Sequence, residues 1–333
     1  MSDSTVSVPG ATGGGDVRPG RIDAVPVRHP GRWVAIVVLA VIVAMIVNLL
    51  VTNDAFDWSF IFQAMVQSPV INGLLVGTLL GTALAMVVGV VFGVLLAVMR
   101  LSDNPILRYS AWAYTWFFRA IPRLVLLTIM GALGVLWPHG LGLGVPFAHD
   151  LSKAFGGDVD LVFTTINANK VFSGLVGGVI GLGLSEAAYM AEIARAGILS
   201  VDPGQREAAQ ALGMNNQLSM RRIVLPQAMR VIVPPTGNET IAMLKDTSLL
   251  IGLPLTTEMF YQLEAIGSRT YKTFPVLVAA VIWYLIVCSI LMIVQAQLER
   301  HFGRGFGSKA PTARDQGIRA KLLGLTGMGG GGR

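Results

Sequence analysis

The sequence predicts an all-α integral membrane protein with about six transmembrane helices and a polar two-helix loop on the cytoplasmic side. Three observations predict it. Charged residues make up 13% of the 333, against 53% hydrophobic, where an ordinary soluble domain carries about 25% charged. Apolar runs near the length of about 20 residues that a bilayer crossing needs recur along the chain. Most Lys and Arg fall in the tails and in alternate loops, the positive-inside bias of membrane proteins. The net charge of +6 therefore reports orientation and not a nucleic acid partner.

Residues 1–32 are rich in Gly, Pro, Ser, Val and Arg without periodicity and read as a disordered cytoplasmic tail. The apolar run 33–51 exceeds the usual signal-peptide core of about 7–15 residues and lacks a small-x-small cleavage site after it. It reads as a retained extra N-terminal span, 33–52. The second span, 74–99, carries Gly73, Gly77, Gly81, Ala85, Gly89, Gly93 and Ala97 at every fourth position. Such a stripe of small residues lets another helix backbone approach closely. Arg100 and Arg108 mark the next loop as cytoplasmic, and the third span, 111–137, opens with aromatic residues at the membrane surface. Arg119 and Arg123 share one face of it by their spacing of four. Residues 138–170 form the longest outer loop, with Asp150, Asp158, Asp160, Lys153 and Lys170. Spans at 171–198, 230–253 and 275–294 follow, and 299–333 is a basic, Gly-rich cytoplasmic tail. Cys288 lies in an apolar run and reads as inert packing.

The polar loop, 199–227, has its own punctuation. Asp202 is a ready N-cap with Pro203 at the first helical position and Gln205 at the capping-box spacing. Gly213 is free to take the left-handed turn that ends this helix. Asn215 or Asn216 caps a second helix, expected to stop near Pro226 for want of an N–H donor. A helix-turn-helix of the DNA-binding kind would need a face clear of the bilayer, which this position does not leave.

Within the loop, Glu207-Ala208-Ala209, Gly213 at the seventh position, Ile223 at the seventeenth and Leu225-Pro226 at the nineteenth and twentieth resemble the EAA motif of binding-protein-dependent ABC importer permeases. Two further stretches resemble the polar amino acid permeases of that family. One is Ala188-Tyr189 with Ala191, Glu192, Ile193, Arg195, Gly197 and Ile198; the other runs from Pro234-Pro235 through Gly237, Asn238, Glu239, Ile241 and Leu244 to Lys245, Asp246, Thr247, Ser248 and Leu249. Phe118-Arg119-Ala120-Ile121-Pro122 resembles a third such segment, and Arg123 stands where that family usually has an apolar residue. The resemblance implies the type I ABC importer (MetI-like) permease fold over 70–298, with the two-helix loop docking in a groove of a cytoplasmic ATPase. It implies as partners two ATPase subunits, a second permease subunit, identical or related, and an extracytoplasmic amino-acid-binding protein. The setting is a bacterial inner membrane, with both termini cytoplasmic. The chain lacks a G-x-x-x-x-G-K-[ST] phosphate loop, so ATP and Mg would be used by the partner and no cofactor by this chain.

Ionisable groups at mid-membrane cost about 2.5–3.5 kcal/mol each and normally face protein or water. The candidates for a substrate pathway are Glu186 and Tyr189 in the fourth span and Asn238, Glu239, Lys245 and Asp246 in the fifth. Glu192 and Arg195 lie on another face and are expected to pair. Pro234-Pro235 is expected to break the fifth span near its cytoplasmic end. A carboxylate in the pathway suits a cationic amino acid or any ammonium group; Lys245 or Arg123 reaching the same cavity would suit an acidic one. No metal cluster stands out, since His29, His139, His149 and His301 lie at or beyond span ends. A different class of function, an ion-gradient transporter using Glu186, Glu239 and Asp246, would leave the two-helix loop without a purpose.

Overall fold

The computed structural model describes residues 30–302 except 138–139, 147, 149–150, 152, 154–161 and 254. The tail readings beyond these bounds lie outside the described residues, as do His29, His139, His149, Asp150, Asp158 and Asp160. The chain divides into two units, Met1–Asp54 and Ala55–Arg333. The first contains α1 (Pro30–Thr52), with no buried residue. Its apolar side chains point to all sides, as suits a helix surrounded by lipid.

Among the described residues, four helices are long and apolar enough to cross a membrane, or five if one bent pair counts as a single span. In the second unit a short helix, α2 (Trp58–Met65), precedes the first long one, where the sequence suggested a plain loop. Asp57 caps it by accepting from Phe60 N at 3.1 Å. The long helix Ser68–Arg100 is built from α3 (Ser68–Gly73), a π-helical stretch Leu74–Leu80 and α4 (Gly81–Arg100).

The expected third span is not one helix. α5 (Pro105–Ala120) and α6 (Arg123–Leu136) meet at an angle of 100°. Pro122 disfavours the helical conformation of the residue before it, and Ile121 is extended, at φ −89° and ψ 130°. The long outer loop contains a two-stranded antiparallel ribbon, β1 (Leu141–Gly144) on β2 (Val162–Ile166), a local exception to the all-α expectation. A short helix, α7 (Ala168–Phe172), leads into α8 (Gly174–Leu199).

The polar loop holds α9 (Pro203–Ala211) and α10 (Asn216–Ser219), and a π-helical turn Met220–Val224 joins it to α11 (Leu225–Asp246). The second loop helix does not stop at Pro226. The wide turn hands the chain on, and Pro226 follows it directly as the second residue of α11, the π-helical winding accommodating a residue that lacks an N–H. Nor do Pro234 and Pro235 break α11, which continues helical through both. α11 falls short of the apolar standard for a span because Arg230, Asn238, Glu239, Lys245 and Asp246 lie along it. A 3₁₀ stretch, Thr247–Gly252, then leads to α12 (Met259–Thr270) and α13 (Thr273–Phe302).

The glycine stripe is real but divided between two neighbours. A Cβ on Gly73 would meet the Met259 backbone at 2.9 Å, and one on Gly77 would strike Thr257 and Glu258. Further along, a Cβ on Gly89 would lie 2.6 Å from Glu186 Cγ, and one on Gly93 would lie 3.1 Å from Ala187 O. On α8, Gly183 reciprocates against Val88 Cγ1 at 2.6 Å. Between the two contacts, a Cβ on Gly81 would meet Leu175 Cδ1 at 3.6 Å and Val76 O at 3.9 Å, both ordinary contacts. The positions of the stripe are therefore not equivalent: Gly89 is tightly packed and Gly81 is not.

Glu258, unmarked by the sequence reading, is fully buried at the first of these contacts. It caps α12, accepting from Phe260 N at 2.6 Å and Tyr261 N at 3.1 Å through Oε2. Its Oε1 accepts from Thr78 Oγ1 at 2.9 Å and Tyr284 Oη at 3.2 Å. Four donors make this a structural carboxylate.

Gly89→Leu should abolish recovery of intact protein from detergent, because the added carbons must push α4 and α8 apart, at about 1–3 kcal/mol or more. Gly81→Leu should lower the yield far less. Equal yields of both variants by fluorescence-detected size exclusion would show the α4–α8 contact to be incidental.

Candidate functional site

The bend after α5 places Arg123 at the start of α6, and there it joins three helices. Its Nη2 donates to Glu186 Oε2 of α8 at 2.9 Å, and its Nη1 to Asp246 Oδ2 at the end of α11. The Arg123 side chain is 13% exposed and Glu186 is 0% exposed. Glu186 lies midway along α8, held on one side by the Gly89 backbone and on the other by the guanidinium. The Tyr189 ring, one turn further on, takes the Arg123 guanidinium at 4.8 Å and that of Arg119 at 5.5 Å. Both distances are within cation–π range. Glu186 Oε1 and the neighbouring Ser185 Oγ are buried without a hydrogen-bond partner among the described residues.

Of the six pathway candidates, the structure brings Glu186, Tyr189 and Asp246 into this cluster. Glu239 is half-buried on α11, two turns before Asp246. Asn238 and Lys245 stand apart. Asn238 is exposed and accepts from Gln295 Nε2 of α13 at 2.8 Å; Lys245 is exposed and makes no ion pair among the described residues. Arg123 was read in the sequence as a residue out of pattern that could reach the cavity, without its partners, and Gln295 was not seen at all. Their partners lie far away in sequence, so no local spacing gives them away.

Glu192 behaves as its spacing predicts. Its Oε2 accepts from Arg195 at 2.8 Å, and its Oε1 adds Arg100 of α4 at 3.2 Å, tying two helices at the cytoplasmic end. It belongs to the frame and not to the cluster around Arg123.

The two-helix loop forms a second candidate site. Asp202 accepts from Gly204 N at 2.7 Å and caps α9. Gly213 has φ +76°, the left-handed value expected of it. Met214 N donates to Ala209 O at 3.0 Å and Gly213 N to Gln210 O at 2.9 Å, which closes the helix end as a Schellman-type turn. Of the two candidate caps for α10, Asn215 does the work, accepting from Leu218 N at 2.8 Å. Ala209 is buried, whereas Glu207, Ala208, Gly213, Leu225 and Pro226 are exposed and Ile223 is half-buried. Leu212 presents an apolar side chain that is 83% exposed. Underneath, Val201 and Val224 pack with Ile198 and Ala228, roots of the flanking helices. The loop is thus a braced knob with an open outer face. No group of three or more His, Cys, Asp or Glu placed to hold a metal occurs among the described residues.

Residues 89–304 match the family model described as binding-protein-dependent transport system inner membrane component. The arginine transport system permease protein ArgU of Corynebacterium glutamicum is 40% identical over 303 residues, which cover 91% of this chain and 89% of that protein. The glutamine transport system permease protein GlnP of Escherichia coli is 31% identical over 217 residues, 57% of this chain and 96% of that one. Among solved structures, an amino acid ABC transporter crystallised with histidines matches with a TM-score of 0.54 and 31% identity, covering 70% of this chain and 94% of its own.

Gly213 has open space around it, so only its backbone angle constrains it. Gly213→Val should strain the turn by about 1–2 kcal/mol and abolish transport-linked ATP hydrolysis, while Gly213→Asn, tolerated in the left-handed region, should keep most of it. ATPase assays on the reconstituted complex check this. Full activity with valine would mean the turn need not be held.

Proposed function

The chain belongs to the family of binding-protein-dependent transport system inner membrane components, and from that premise we propose that it carries cationic amino acids, arginine foremost, past the Glu186–Asp246 carboxylates. Its general role follows from membership: it is a multi-pass inner-membrane permease subunit of an amino acid ABC importer. It is not an enzyme, because in such importers the ATPase is a separate chain, and a binding protein delivers the cargo. The ion-gradient alternative falls with that assignment.

The observation that carries the substrate reading is the sign of the cluster. Arg123 pairs with both Glu186 and Asp246, so two carboxylates share one paired guanidinium, while Arg119 lies on the Tyr189 ring. An acidic cargo would have to displace a carboxylate from Arg123, whereas a cationic one meets acceptors already assembled around a guanidinium. The name of the 40% identical relative supports arginine. Glu186, Tyr189, Asp246 and Glu239 form the pathway in this reading, with Asn238 and Lys245 at its margin.

The coupling residues are Glu207, Ala208, Ala209, Gly213, Ile223, Leu225 and Pro226. Two ATPase subunits, using ATP and Mg, would grip the knobs of this chain and of a second permease subunit. Both termini are then cytoplasmic. Closure of the ATPases moves each knob and switches the helices between inward-open and outward-open states, each favoured by its own contacts.

Uptake of labelled arginine, glutamine and glutamate into proteoliposomes holding the whole complex and its binding protein tests the reading. Arginine should be taken up, and glutamate should not compete. Glu186→Gln should cut arginine uptake about tenfold, or about 1.4 kcal/mol, with assembly intact. Undiminished uptake in that variant would remove Glu186 from the pathway.

A further inference from the structure

We propose that Arg123 is a built-in stand-in for the cargo cation: in the empty permease its guanidinium occupies the Glu186–Asp246 pair, and a cationic amino acid enters that pair by displacing it. The inference rests on the cationic reading above and gives Arg123 a role as the residue that sets specificity.

The first support is geometric. One guanidinium spans carboxylates from α8 and α11 through two different nitrogens. A free arginine side chain presents the same planar fork. Any cargo able to take over both carboxylates must offer comparable charge and donors, so neutral and acidic amino acids would leave Arg123 in place.

The second support is a contrast within the molecule. Glu258 is as buried as Glu186, and its two oxygens accept four hydrogen bonds. That is how a permanently structural carboxylate is satisfied here. Glu186 is served only through Oε2, and its Oε1 is buried without a partner among the described residues. A buried acceptor left open is costly, and a second donor would recover that cost. The cargo's cationic group, arriving at Glu186, brings that donor.

The third support is that Arg123 has somewhere to go. It stands in the first turn of α6, just after the extended residues Ile121 and Pro122. The Tyr189 ring already lies 4.8 Å from its guanidinium carbon. A displaced guanidinium can keep that contact, on a ring shared with Arg119 at 5.5 Å, without leaving protein for lipid.

The test uses the permease purified with its ATPase partners and no binding protein, so that affinity reports the membrane site. Labelled arginine binding is measured for wild type, Arg123→Gln and Glu186→Gln. With the competitor gone, Arg123→Gln should bind arginine at least about threefold more tightly, and its preference over glutamine should fall, because no guanidinium then has to be displaced. Guanidinium chloride at about 20 mM should raise the melting temperature of Arg123→Gln and not of wild type, by mass action on the vacated pair. Should Arg123→Gln fail to assemble, adding guanidinium during solubilisation should restore assembly; failure to restore it would make Arg123 a fixed bridge and overturn the proposal. Unchanged or weaker arginine binding in an assembled Arg123→Gln would overturn it too. If Glu186→Gln loses binding while Arg123→Gln gains none, the pathway stands and only the stand-in falls. If Glu186→Gln binds as wild type, the pathway reading itself is wrong.

Discussion

A single buried carboxylate, Glu186, sets the terms for the membrane part of this protein. A charge in that position must be answered, and the answer comes from Arg123 on a helix bent away by 100°. Breaking one side of such a pair costs about 3–5 kcal/mol, so the bend at Ile121–Pro122 is needed to deliver the guanidinium. The same carboxylate stem needs glycine opposite it, since a Cβ on Gly89 would lie 2.6 Å from Glu186 Cγ. The kink in one helix, the small residue in another and the end of a third are therefore all tied to one side chain.

The cluster is joined to the cytoplasmic knob by the backbone itself. From Asn216 through the wide turn Met220–Val224 to Asp246, the chain is helical without interruption. At about 1.5 Å per residue, that run spans most of a bilayer. In the proposed mechanism, movement of the knob would pass along this element to Asp246, one of the two carboxylates on Arg123. Pro226, Pro234 and Pro235 do not interrupt it, and the wide turn lets the helix bend where the knob ends. The Arg100–Glu192–Arg195 group fixes α8 to α4 at the same end, so α11 has a frame to move against.

The sequence made the knob legible because its signals are local. Asp202, Gly213 and Asn215 act within a few residues of themselves, and each does in the structure what its chemistry predicts. The Glu192–Arg195 pair was legible for the same reason. The cluster was only half legible. Spacing put Glu186 with Tyr189 and Glu239 with Asp246, but nothing in a linear pattern joins Arg123 to partners 63 and 123 residues away. Glu258 was hidden likewise, as its Thr78 partner lies 180 residues off. The glycine stripe was read as one surface, although backbone from two different elements packs on it. The prolines of α11 misled for a physical reason: a missing donor predicts a break only where the helix cannot absorb it.

The central claim is that cargo meets Glu186 by taking the place of Arg123. A structure of the assembled importer with arginine bound tests it most directly. The account predicts the cargo's cationic group within hydrogen-bonding distance of Glu186 Oε1 and Asp246, with the Arg123 guanidinium released from both carboxylates and held by the Tyr189 ring alone. Arginine bound elsewhere, with the Arg123–Glu186 and Arg123–Asp246 bonds intact, would contradict it.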